Sequence, residues 1–137
     1  MQGGFMQPHG NFTLQIKDQV VYARISDGFN EFGIVEYRES VSNLVKNEAT
    51  WILHNIIADS AGLTPEALEE LIITYKDLEK MGCISIAVMK GANNYFGNLL
   101  EMKVFEQINI PTVVSVEEIR LSTFLKFYML EMKSNSV

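Results

Sequence analysis

The chain alternates between two hydrophobic periods, and this alternation restricts its fold more than any other feature. Compact runs rich in β-branched and aromatic residues occur at Val20 to Ile25, Trp51 to Ile57, Cys83 to Met89 and Pro111 to Val114. Longer segments between them carry apolar residues at spacings of three and four. The first pattern belongs to buried strands and the second to amphipathic helices. Strands that alternate with helices are most simply joined as parallel neighbours with right-handed crossovers, because a parallel pair needs a long connection.

The boundaries follow from local signals. Phe12, Leu14 and Ile16 alternate with polar residues ahead of a turn at Lys17, Asp18 and Gln19, so a hairpin is expected that ends at Asp27 and Gly28. Asn30 is the N-cap expected for a first helix whose buried face holds Ile34, Tyr37, Val41, Leu44 and Val45. Thr64 and Pro65 open a second helix, with Ala67, Leu68, Leu71, Ile72, Tyr75 and Leu78 on one face, and Gly82 stops it. A third helix is expected over Tyr95 to Glu106. A fourth, over Ile119 to Met132, follows a capping box of Ser115 and Glu118. The expected order is β-β-α-β-α-β-α-β-α: an α/β domain with a single mostly parallel sheet of about five strands, only the first antiparallel, and four helices. Residues 11–132 form the domain, and 1–10 and 133–137 read as loose tails.

At 137 residues the chain suits one domain, and its 47% apolar content suffices for a core. Its net charge of −6 opposes a phosphate backbone, so nucleic acid is not an expected partner. The lone Cys83 allows no internal disulfide and no multi-cysteine metal site, and it suits a reducing, cytoplasmic setting. Neither a membrane-length apolar run nor a secretory signal is evident.

Loops that follow parallel strands gather at the carboxyl edge of the sheet, so Asp27, Gly28 and Asn30, Asp59 to Thr64, Lys90 to Asn94 and Ser115 should be neighbours. The polar members Asp27, Asn30, Asp59, Ser60, Thr64, Lys90, Asn93 and Asn94, with the turn residues Gly28 and Gly62, form the expected ligand or partner surface. The loop around Gly91 fits neither common nucleotide-binding pattern. A nucleophile and base would have to be Ser60 with His54 or His9. His54 lies six residues upstream in a strand, about 20 Å away if extended, and no G-x-S-x-G elbow is present. No catalytic, cofactor or metal residues are therefore assigned.

Together the element order, the segment Ile56-Ile57-Ala58-Asp59-Ser60-Ala61-Gly62-Leu63 and the helix end Lys80-Met81-Gly82-Cys83 resemble the SpoIIAA-like proteins of the STAS superfamily, over residues 12 to about 131. One branch of that group also resembles the CRAL-TRIO domains. The resemblance implies a non-enzymatic regulatory module that meets a partner such as a kinase. In the D-S-S-G-L type motif of anti-sigma-factor antagonists the first Ser accepts phosphate, which corresponds here to Ser60; Ala61 stands at the second Ser. The CRAL-TRIO likeness implies an alternative, an apolar ligand held between the sheet and the third and fourth helices.

The last two helices are apolar nearly all round. In the fourth, Leu121, Phe124, Leu125, Tyr128 and Met129 share one face while Ile119, Phe127 and Leu130 lie opposite. In the third, Val104 and Phe105 widen the arc set by Tyr95, Phe96, Leu99 and Leu100. Three covers are open: a second copy of the chain, the segment Phe5 to His9 folding back, or an apolar ligand.

Overall fold

A computed structural model describes residues 7–135. The elements are β1 (Asn11–Lys17), β2 (Val20–Ser26), β3 (Gly28–Phe29), α1 (Glu31–Val45), β4 (Trp51–Ile57), β5 (Gly62–Leu63), α2 (Pro65–Lys80), β6 (Cys83–Lys90), α3 (Tyr95–Leu99), β7 (Thr112–Ser115) and α4 (Glu118–Asn135). The main sheet has the order β1-β2-β4-β6-β7, with β1 antiparallel to β2 and every other pair parallel. This is the expected architecture, with one addition: β3 and β5 pair in parallel as a separate two-stranded sheet at the carboxyl edge.

The β1–β2 hairpin turns on Asp18 and Gln19, both at positive φ (53° and 65°), the mirror-image geometry that matches the twist of the flanking strands. In α1 the Asn30 side chain accepts from the Gly33 N–H, and in α2 Thr64 does the same for Ala67. Gly82 leaves α2 at a φ of +97°, and a Cβ there would collide with the Ala49 carbonyl.

The two faces of the sheet are covered unequally. On one, Val21, Ala23, Ile25, Trp51, Leu53, Ile57, Ile86 and Val88 pack against α1, α2 and the α3 segment in one large core. Burial of each such Val, Leu or Ile contributes about 1.5–3 kcal/mol, so most of the stabilisation lies on this side. On the other face, among the described residues, Val20, Ile52 and Met132 form the buried cluster, with Tyr22, Ile84, Leu125, Tyr128 and Met129 around it. On that face α4 packs over β6 and β7.

Three expectations are corrected. The third helix is not one α-helix: α3 passes into a π-turn at Leu100–Val104 and a 3-10 turn at Phe105–Gln107. In a straight α-helix, residues four apart drift by about 40°, whereas the wider turn rotates Val104 back into line with Phe96 and Leu100, and all three are buried. The Ser115–Glu118 capping box does not form. Ser115 ends β7 and its Oγ accepts from the Glu117 N–H at 2.9 Å, one turn-forming bond ahead of the helix. Finally, Gln7 and His9, in a segment expected to be loose, are hydrogen-bonded to Asn30.

Candidate functional site at the carboxyl edge

The edge is assembled from three strand-to-helix connections. After β2, Asp27 takes a φ of 65° and redirects the chain into β3. After β4, the Ala58 N–H donates to Ile25, Gly62 to the Asp27 carbonyl and Thr64 to the Phe29 carbonyl, which sets β5 beside β3. The two loops are also joined by side chains. The Asp27 N–H donates to Ser60 Oγ at 3.2 Å, and Asn11 Nδ2 donates to the Asp27 carboxylate. Asp27, Asp59 and Ser60 are exposed.

The third connection is organised by Asn94, which is fully buried. Its Nδ2 donates to the carbonyls of Ile57 and Ala58, each at 3.0 Å, and to Asp59 Oδ1 at 3.2 Å. Its Oδ1 accepts from the Gly97 N–H at 2.7 Å and so caps α3. One side chain therefore ties the β6–α3 loop to the loop that carries Ser60. Gly91 lies close beneath it, where a Cβ would stand 2.6 Å from Asp59 Oδ1.

A shallow cavity of about 450 Å3 opens among these loops, lined by His9, Gly28, Phe29, Asn30, Gly62, Leu63 and Thr64. The expected edge residues Gly28, Asn30, Gly62 and Thr64 thus share one wall. Asp27, Asp59 and Ser60 adjoin it, Asn94 is buried behind, and Asn93 is exposed in the β6–α3 loop while Lys90 closes β6. The residues that sequence reasoning missed are His9 and Phe29, which line the cavity, and Asn94 in its role as the central tie. Only the Asn94–Gly97 spacing, that of an N-cap and the backbone N–H it accepts from, signalled it.

The chemistry elsewhere is structural. Asn55 Oδ1 accepts from the Tyr37 hydroxyl at 3.2 Å and its Nδ2 donates to the Tyr75 oxygen at 3.0 Å, a buried link from α1 through β4 to α2. Burial raises both phenols well above their ordinary range. It also pushes the Cys83 thiol up to about 12, so no thiolate is available as a nucleophile or metal ligand. His54 lies on the α4 side of the sheet, edge-on to Tyr22 at 5.5 Å, with both ring nitrogens buried and without hydrogen-bond partners. Burial, then the Arg24 charge, lowers its pKa from 6.5, while Glu118 acts against them. Ser60 Oγ is engaged by Asp27 instead, so these two residues are not joined as nucleophile and base. No cluster of three potential metal ligands is found among the described residues.

No family model and no curated protein matches the chain. Among solved structures, the anti-sigma factor antagonist SpoIIAA in its unphosphorylated form superposes with a TM-score of 0.53 at 13% identity, over 83% of this chain and 97% of that one. The fold is that of SpoIIAA. The resemblance drawn from the element order is thereby supported at the level of architecture.

The α3 segment and α4 occupy opposite faces of this sheet, which corrects the alternative ligand site: no space lies between the sheet and both helices together. The N-terminal cover is also relocated. Phe5 and Met6 lie outside the described residues, and Gln7 and His9 sit at the start of α1, on the face away from α4. No helix among the described residues is long and apolar enough to cross a membrane.

Proposed function

We propose that the chain is a non-enzymatic regulatory or protein-interaction module that meets a protein partner, such as a kinase-like regulator, at its carboxyl-edge loops. In this reading it acts in the cytoplasm as a homodimer. The observation that carries the reading is the position of Ser60, exposed beside the edge cavity with its Oγ closing the β2–β3 turn against the β4–β5 loop. A phosphate on that oxygen would add about −1.5 to −2 charge beside the exposed carboxylates of Asp27 and Asp59. Repulsion would open the turn and change the surface around Leu63, which is how one modification could alter the affinity of a partner.

Protein isolated from its source cells should contain a Ser60 phosphopeptide by mass spectrometry, and wild-type bait should retain a partner that Ser60→Glu or Leu63→Glu bait loses. The proposal fails if no phosphopeptide is found under several growth conditions and no partner depends on these loops. Turnover of generic ester or phosphate substrates that is abolished by Ser60→Ala would replace it with an enzyme.

A further inference from the structure

Four of the seven exposed large apolar side chains among the described residues lie on α4 or just before it. Val116, Ile119, Phe127 and Leu130 are 58%, 75%, 53% and 64% exposed. At 100° per residue, Ile119, Thr123, Phe127 and Leu130 fall within an arc of about 80°, opposite the face that Leu121, Leu125, Tyr128 and Met132 turn to the sheet. A stripe of this width and spacing fits a second helix.

Charge says which helix. On one flank of the stripe stand Arg120 near the start of α4 and Glu131 near its end, at almost the same angle and eleven residues, about 16 Å, apart. Neither has an ion-pair partner among the described residues. On the other flank stands Lys126, while Glu118 falls on the sheet-facing side, near His54. The Arg120–Glu131 flank, whose charges reverse from one end to the other, complements itself when a copy is turned end for end. Under a two-fold axis only the antiparallel arrangement lays this flank against its own copy; in a parallel pair Arg120 would face the partner's other flank, where Lys126 stands.

We propose that α4 is the interface of a two-fold symmetric dimer in which two α4 helices pack antiparallel. Ile119 then lies beside the partner's Leu130 and Thr123 beside the partner's Phe127, while Arg120 meets the partner's Glu131 twice across the axis. The apolar centre excludes water and the Arg120–Glu131 flank sets direction and register, the division of roles found in paired helices generally. The inference rests on the homodimer in the proposed function and adds its geometry. It leaves the carboxyl-edge loops free, since they lie at the end of the sheet and α4 packs on its face over β6 and β7.

Sedimentation velocity and light scattering of the full chain across the micromolar range test it. Wild type should be a dimer, and Phe127→Glu a monomer with an unchanged circular dichroism spectrum. Arg120→Glu and Glu131→Arg should each weaken dimerisation by about tenfold or more, since each replaces two attractions with two repulsions. The double variant Arg120→Glu/Glu131→Arg should return to within about threefold of wild type. A wild type that stays monomeric near 100 μM would refute the dimer itself. A dimer that survives Phe127→Glu, or single charge reversals that the double variant does not repair, would overturn this geometry and leave the dimer standing.

Discussion

Replacing Asn94 should show how the candidate site is held together. Asn94 is fully buried and makes two separable contributions. As the N-cap of α3 it accepts from Gly97, a contribution of about 1 kcal/mol by comparison with other Asn caps. As a donor it serves the Ile57 and Ala58 carbonyls and Asp59, and the loss of a buried donor leaves its acceptors short at about 1–3 kcal/mol. The Ala58 carbonyl also receives the Ala61 N–H, which keeps this second term toward the lower end. Asn94→Ala should therefore destabilise by about 2–4 kcal/mol, a large share of the 5–15 kcal/mol typical of a domain. In urea this moves the midpoint down by roughly 1–2 M at an m-value of about 2 kcal/mol per molar. Asn94→Asp separates the two contributions. The aspartate keeps the cap oxygen but has no Nδ2, and it sets a carboxylate against two carbonyl oxygens and Asp59. At neutral pH it should be at least as destabilising as the alanine, and it should recover part of the loss on acidification as the new carboxyl takes up a proton. The reasoning fails if Asn94→Asp matches wild type at pH 7, since the cap alone would then account for the residue.

Two further predictions concern other parts of the fold. Because burial lowers the His54 pKa from 6.5, the unfolded chain binds this proton more readily; stability is complete above about pH 6.5 and falls as the pH drops below it. His54→Phe keeps the edge-on contact with Tyr22 and removes both unpartnered nitrogens, so urea melts at pH 5 and pH 8 should differ less in the variant than in wild type, and an unchanged pH dependence would refute the assignment. Gly82→Ala should cost about 1–3 kcal/mol in thermal or urea unfolding, through the positive φ and the collision with the Ala49 carbonyl; a neutral result would mean that the end of α2 can rearrange.

The legible parts of this fold are those fixed by neighbours in sequence. Asn30, Thr64-Pro65 and Gly82 mark helix ends through bonds spanning three or four residues, and the buried strands announce themselves because β4 is enclosed by sheet neighbours on both edges and by helices on both faces. The β3–β5 pair was not legible. Two residues per strand have no period, and they pair only because the turn at Asp27 and the loop at Ser60 are brought together by β2 and β4. The candidate site was legible as a location, since parallel topology fixes where loops converge. Its cavity was not, because His9 and Phe29 enter through the N-terminal segment and the small sheet, which only tertiary contacts position. Nor could the pattern reveal that the Asn94 amide reaches back across 37 residues to Ile57.

The third and fourth helices shared one anomaly, apolar residues on too many sides, and the structure separates two causes. For the third the excess came largely from assuming a constant 3.6-residue period. The π-turn rotates Phe96, Leu100 and Val104 onto one line, all buried in the main core, and Phe105 reaches Tyr75 edge-on at 5.7 Å. For the fourth the helix is regular through Asn135 and the excess persists: Leu121 and Met132 are buried while Ile119 and Leu130 point away from the sheet. A change of period can absorb apolar residues that lie next to a core, but it cannot turn both sides of a regular helix toward one sheet. The surplus on α4 is therefore a property of its surface. Its antisymmetric charges give that surface a direction, which is why reciprocal reversal of Arg120 and Glu131 tests the interface more stringently than loss of an apolar side chain.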